Sequence, residues 1–184
     1  ENIKSKELKI MVTVAILAAI SFILMYLKVP LIPSATFLTY DLSEVVAMIG
    51  AFVLGPIPGI FIVIVKAILY FVLGPKDGGW IGALASLVSG LSLVLGTVFF
   101  IRKGGKILSK VLAVLVGTLL LTVTMTLLNY FAFLPLYGIP SDQVATMLIT
   151  AIIPFNIIKG ILSSVISIGI YMLIKKQIDK RINK

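Results

Sequence analysis

The sequence predicts an all-α, polytopic membrane protein with six transmembrane helices and both termini in the cytoplasm. Three observations carry this prediction. Of 184 residues, 60% are hydrophobic and only 12% charged, whereas soluble domains run at roughly 45–50% and about 25%. The mean hydropathy is correspondingly high, +1.18. Long apolar runs recur from end to end, and the basic residues collect at alternate joints between them. At about 20 residues per span, the chain has room for six or seven helices with short loops, and none for a second soluble domain of ordinary size. Residues 1–184 therefore read as one integral membrane domain.

The first span covers residues 10–27. Its 18-residue apolar run exceeds the ~7–15 residues of a signal-peptide core, and no clear cleavage site follows, so it reads as a retained helix. The second covers residues 41–54 and the third 59–73. Both are short for a bilayer core of ~30 Å, which implies tilt or shelter by neighbouring helices. The fourth covers residues 80–101, the fifth 111–134 and the sixth 145–174. Prolines mark the joints, as expected of a residue that breaks helical hydrogen bonding: Pro30, Pro33, Pro56, Pro58, Pro75, Pro135 and Pro140 fall between apolar runs. Pro154 is the exception. If the sixth helix proper begins there, residues 154–174 make one span, and residues 141–153 form a separate short helix or a kinked entry.

Orientation follows from the charges. Lys4, Lys6 and Lys9 precede span one. Arg102, Lys103, Lys106 and Lys110 lie between spans four and five, and Lys175, Lys176, Lys180, Arg181 and Lys184 follow span six. These twelve of the sixteen basic residues fall on one side of a six-span topology. The other side holds Lys28 and Lys76 with Asp77 and Asp142. The positive-inside rule makes the basic side cytoplasmic. The net charge of +9 is thus a topology signal, and no nucleic-acid partner is expected.

Composition also excludes chemistry. With no cysteine and no histidine, the chain has no disulfide, no Cys/His metal site and no Ser-His or Cys-His catalytic pair. Gly104-Gly105-Lys106-Ile107 brushes against a phosphate loop. It lacks the first glycine, and Ile107 stands where Ser or Thr should bind magnesium. It reads as a basic turn, and the chain shows no ATP-hydrolysing machinery. Neither an enzyme nor a cofactor protein is indicated.

Polar residues within the spans are the stronger signal, because an unpaired charge in hydrocarbon costs at least ~2.5–3.5 kcal/mol. Asp41 and Glu44 open span two, Lys66 lies in span three, Asn129 late in span five, and Asn156 and Lys159 in span six. The topology places all six in the outer half of the membrane. Asp41/Glu44 and Asn156/Lys159 are i,i+3 pairs, each on one helix face. Four helices would so aim donors and acceptors into one outward-facing cavity. Two plainer roles stand beside this: the lysines neutralising the acids as buried ion pairs, and Asp41 as the N-cap of span two. The segment 28–40, with Thr36, Phe37, Leu38 and Thr39, is too apolar for a water-exposed loop. It reads as a lid on the cavity or as a re-entrant or interfacial segment. On span one, Ala15 and Ala19 form a small-xxx-small pair suited to close helix approach.

Ala15-Ile-Leu-Ala-Ala19, Asp41-Leu-Ser-Glu44, Gly55-Pro-Ile-Pro-Gly59, Val65-Lys66-Ala67 and Pro154-Phe-Asn-Ile-Ile-Lys159-Gly160 together resemble the S components of energy-coupling factor (ECF) vitamin transporters. The resemblance covers essentially the whole chain and is closest to the riboflavin-specific branch. It implies a six-helix subunit that captures riboflavin from outside, then works with a transmembrane T component and two cytoplasmic ATPases. It also implies that Ala15 and Ala19 dock the T component and that the loop after span one lids the site. In that frame Asn156 and Lys159 bond the polar ring edge or the ribityl hydroxyls, and Asn129 and residues 36–39 complete the cage. Asp41, Glu44 and Lys66 line or brace it. A thiamin-specific member would be expected to offer more aromatic stacking than the single Trp80. The competing reading is an ion-coupled secondary transporter of a small organic solute, using the acids and lysines as a relay. Such transporters usually carry inverted repeats, and none is found here.

Overall fold

The computed structural model describes residues 3–33, 35–74, 79–103 and 106–182; Ser34, Pro75, Lys76, Asp77, the Gly104-Gly105 pair and Lys184 lie outside them. Helix α1 (Ile3–Leu24) begins well before the apolar run and ends before its last residues. Within the segment after it, β1 (Val29–Pro30) and β2 (Thr39–Tyr40) pair antiparallel, Val29 opposite Tyr40 and Pro30 opposite Thr39. The predicted apolar loop is therefore pinned at its base as a small hairpin. Proline is tolerated in a two-stranded ribbon because an edge position needs no N–H.

Helix α2 (Ser43–Leu54) is only 12 residues long, about 18 Å at 1.5 Å per residue. Its length is explained by its position. It packs against α1, α3 (Pro56–Leu73), α4 (Gly79–Lys103) and the last helix, and its Glu44, Ala47, Met48, Ala51 and Phe52 are buried. Protein, rather than lipid, surrounds it. Between α2 and α3 the chain turns at Gly55, whose φ of 123° lies where only glycine is unstrained. Pro56 and Pro58 stand inside the first turn of α3, not in a linker as predicted. First-turn N–H groups have no intrahelical partner, so proline loses nothing there.

Helix α5 (Ile107–Leu136) runs through a π turn at Asn129–Phe133. Helix α6 comprises Ser141–Met147, a second π turn Leu148–Ile152, and Ile153–Ile182. Two expectations change here. Pro135 lies within α5, and Pro154 opens no new helix, since the sixth helix runs on from Ser141 through its π turn. Each proline follows its π turn by two residues. The wider turn bulges the backbone, so the pyrrolidine ring clears the carbonyl a turn back and the missing N–H breaks no regular ladder.

Among the described residues, five helices, α1 and α3–α6, are long and apolar enough to cross a membrane, and α2 is a shorter apolar helix. The protein is thus an all-α membrane protein, the small hairpin apart. Helices α4, α5 and α6 pack in sequence. A Cβ on Gly96 would stand 2.7 Å from the Cα of Gly117, and one on Gly160 would stand 2.9 Å from the Cα of Thr118. Such close approach is what holds membrane helices together where hydrophobicity gives no net drive. The core joins Ala47, Met48 and Phe52 of α2 to Ile62 and Val63 of α3 and to Leu93, Val94 and Val98 of α4. At the end carrying the α2–α3 joint, Arg102 of α4 donates to the carbonyl of Phe52 at 3.3 Å.

Candidate functional site

The hairpin end of the bundle, opposite Arg102, encloses a cavity of about 650 Å³, within the usual range for small-molecule sites. Its wall draws on the end of α1, the hairpin, the start of α2, the end of α3, the start of α4, the end of α5 and the start of α6.

Nine of the ten residues predicted for the site line this cavity. Thr36, Phe37, Leu38 and Thr39 of the hairpin cover it. Leu38 packs on a satellite cluster of Leu134, Val144, Leu148 and Ile152 from α5 and α6, while Thr36 and Phe37 beside it are exposed. Asp41 enters from the link between β2 and α2, Glu44 from the first turn of α2, Asn129 from α5, and Asn156 and Lys159 from α6. The tenth, Lys66, is fully buried and does not reach the cavity lining.

Glu44 is the hub of the polar end. Its Oε1 accepts from Lys159 Nζ at 3.2 Å and faces Lys66 Nζ at 3.5 Å. Its Oε2 accepts from the Ser43 hydroxyl at 3.1 Å, and that hydroxyl accepts from Lys66 at 3.1 Å. Glu44 is 1% exposed, and a buried carboxylate needs such partners to stay in place. The network reaches α1, where Ser21 Oγ donates to the Ser43 carbonyl at 2.6 Å. Asp41 Oδ1 accepts from the Ser43 backbone N–H at 2.8 Å. It therefore holds the first turn of α2, as an N-terminal cap would, while lining the cavity. Ser43 and Glu44 hold the Lys66 ammonium, and Lys66 itself is not among the residues lining the cavity.

The two asparagines are built alike. Asn129 donates from Nδ2 to Met125 O, and Asn156 to Ile152 O, both at 2.8 Å. Asn129 opens one π turn, and Asn156 follows the other. One N–H of each carboxamide is fixed on its own helix, which leaves the other N–H and the oxygen for the cavity it lines. Around these groups the wall is apolar and aromatic, with Tyr70, Phe133, Tyr137 and Phe155. Sequence reasoning missed these aromatics, because within an apolar run a cavity-facing ring looks like a lipid-facing one. It also missed Ser86 and Ser89 of α4, which line the cavity at the same i,i+3 spacing as the pairs it found.

Ala15 and Ala19 lie on the exposed face of α1, away from its buried Ala18, Ser21 and Met25. Only 11% of the apolar window of α1 is buried, the least of the long helices.

Residues 9–171 match the family described as ECF transporter, substrate-specific component. The chain belongs to this family. Its members are S components of transporters, not enzymes. Among curated relatives, the riboflavin transporter RibU of Staphylococcus aureus (strain TCH60) is 30% identical over 176 residues, covering 92% of each chain. The riboflavin transporter FmnP of Bacillus subtilis (strain 168) is 31% identical over 183 residues, covering 95% of this chain and 96% of its own. A RibU of Streptococcus thermophilus is 32% identical over 177 residues, covering 91% and 83%. A solved structure of the S component of a bacterial ECF transporter superposes with a TM-score of 0.76 at 31% identity, covering 97% of this chain and 99% of that one.

Proposed function

We propose that this S component captures riboflavin from the extracellular side in the cavity beneath the hairpin. In this reading the chain works as one six-helix unit with both termini cytoplasmic, α2 counting as the sixth span. It hands its cargo on by joining a transmembrane T component and two ATPase subunits. The carrying observation is the cavity itself: aromatic and apolar walls closed at one end by Asn129, Asn156, Glu44 and Lys159. The flavin ring is flat, with an apolar dimethylbenzene end and a polar edge of carbonyls and one N–H. A mostly apolar pocket with a few fixed polar groups suits it. Asn156 and Lys159 bond the polar ring edge or the ribityl hydroxyls, Asn129 adds a third contact, and residues 36–39 form the lid. Asp41 and Glu44 hold the polar end in place, with Lys66 behind them. The relatives named as riboflavin transporters support the same ligand.

An absorption spectrum tests this directly. Protein purified in detergent from riboflavin-fed cells should be yellow and carry about one flavin per chain. Colourless protein that also fails to quench riboflavin fluorescence on titration would overturn the proposal. The exposed face of α1 is the docking surface. Ala15→Leu with Ala19→Leu should leave flavin binding intact and abolish uptake by the reconstituted transporter. Undiminished uptake would exclude that face.

A further inference from the structure

The α4 wall of the cavity is a stripe of small side chains. Gly82, Ala85, Ser86 and Ser89 recur at helical spacing and all line the cavity. Ser86 is 9% exposed and Ser89 2%, and neither hydroxyl has a hydrogen-bond partner. Thr97 of the same helix differs. Further along α4, it returns its hydroxyl to the Leu93 carbonyl at 2.7 Å, the ordinary way a buried hydroxyl is satisfied in a helix. Other unpartnered hydroxyls, on Thr118, Thr122, Thr126 and Ser164, lie outside the cavity lining. Where packing alone required small residues, alanine would fill the same wall without an unmade hydrogen bond.

We infer that Ser86 and Ser89 bind a hydroxyl-bearing chain on the ligand, the ribityl chain if the cargo is riboflavin; the inference rests on the proposed function. Two residues three apart on a helix are offset by about 4.5 Å along its axis, which suits an extended polyol better than a single polar atom. A serine hydroxyl both donates and accepts, as the hydroxyls of a polyol do. Neither serine has to break an existing bond to turn about its Cα–Cβ axis toward the cavity. The neighbouring surface extends the strip: a Cβ on Gly82 would lie 3.4 Å from the Tyr70 phenol oxygen, and Tyr70 also lines the cavity. The fixed carboxamides and the Lys159 ammonium are left to the ring edge.

The test compares riboflavin with lumiflavin, which keeps the ring but carries a methyl group in place of the ribityl chain. Flavin-free protein is titrated with each by fluorescence quenching, for wild type, for Ser86→Ala with Ser89→Ala, and for Ser164→Ala as a buried hydroxyl outside the cavity. The double variant should bind riboflavin about tenfold more weakly, the worth of two neutral hydrogen bonds. Its lumiflavin affinity should stay within about twofold, and Ser164→Ala should alter neither. An unchanged riboflavin affinity, or an equal loss for both ligands, overturns the inference while leaving riboflavin capture standing. Wild-type protein that binds neither flavin overturns both.

Discussion

Replacing Lys159 with methionine separates the two tasks assigned to this lysine. Methionine keeps most of the length and volume of the side chain but removes the ammonium. Two things follow from the geometry. A hydrogen bond from a charged donor to the ligand disappears, worth about 1.5–3 kcal/mol, so riboflavin affinity should fall by roughly tenfold to a hundredfold or more. Glu44 also loses its partner at 3.2 Å. Breaking a buried pair outright costs about 3–5 kcal/mol. Here Glu44 keeps Lys66 at 3.5 Å and the Ser43 hydroxyl at 3.1 Å, which limits the destabilisation to about 3 kcal/mol or less. Fluorescence titration reads the first effect and a thermal melt the second. Adding Glu44→Gln should lower the melt further and leave the affinity unrestored, because it takes the carboxylate from buried Lys66 without returning the donor. Unchanged riboflavin affinity in Lys159→Met would refute direct contact. Wild-type affinity in the double variant would show that Lys159 acts only through Glu44.

Lys66→Met should divide the other way: Glu44 keeps Lys159 at 3.2 Å, so the stability loss should be about 3 kcal/mol or less, with little change in affinity for the protein that folds. An unchanged melting temperature would exclude the bracing role. Leu38→Asp puts a charge against the Leu134, Val144, Leu148 and Ile152 cluster. It should raise the riboflavin dissociation rate about tenfold or more, as stopped-flow displacement would show, and an unchanged rate would exclude a lid. Gly160→Val drives a side chain into the Thr118 backbone and should cost about 1–3 kcal/mol, seen as a lowered melting temperature. An unaltered melt would mean that α5 and α6 are not so closely packed.

The sequence showed the helices it could show by length and hydropathy, and it found the cavity through charge. Asp41, Glu44, Asn129, Asn156 and Lys159 stand out because polar groups in an apolar run are costly and so rarely accidental. At Lys66 the same criterion left two readings open, lining the site or neutralising an acid behind it, because a buried charge can be held by protein as readily as by a ligand; the contacts to Ser43 and Glu44 fit the second. It was blind to Tyr70 and Phe155, whose rings carry no such penalty wherever they face. Prolines misled for a related reason. Pro135 and Pro154 mark helix ends in a regular α-helix, but the π turns before them remove the clash, and a π turn has no residue signature of its own. The shortness of α2 was legible and its cause was not. Burial among four helices is a property of the packing, not of residues 41–54.

The four charged residues gathered at the hub, Asp41, Glu44, Lys66 and Lys159, sum to zero formal charge. A membrane potential exerts about 2.3 kcal/mol on each unit charge per 100 mV, but it finds no net charge to act on in this group. An uncharged cargo such as riboflavin leaves that sum unaltered. The voltage across the membrane therefore does no net work on the hub whether it is loaded or empty.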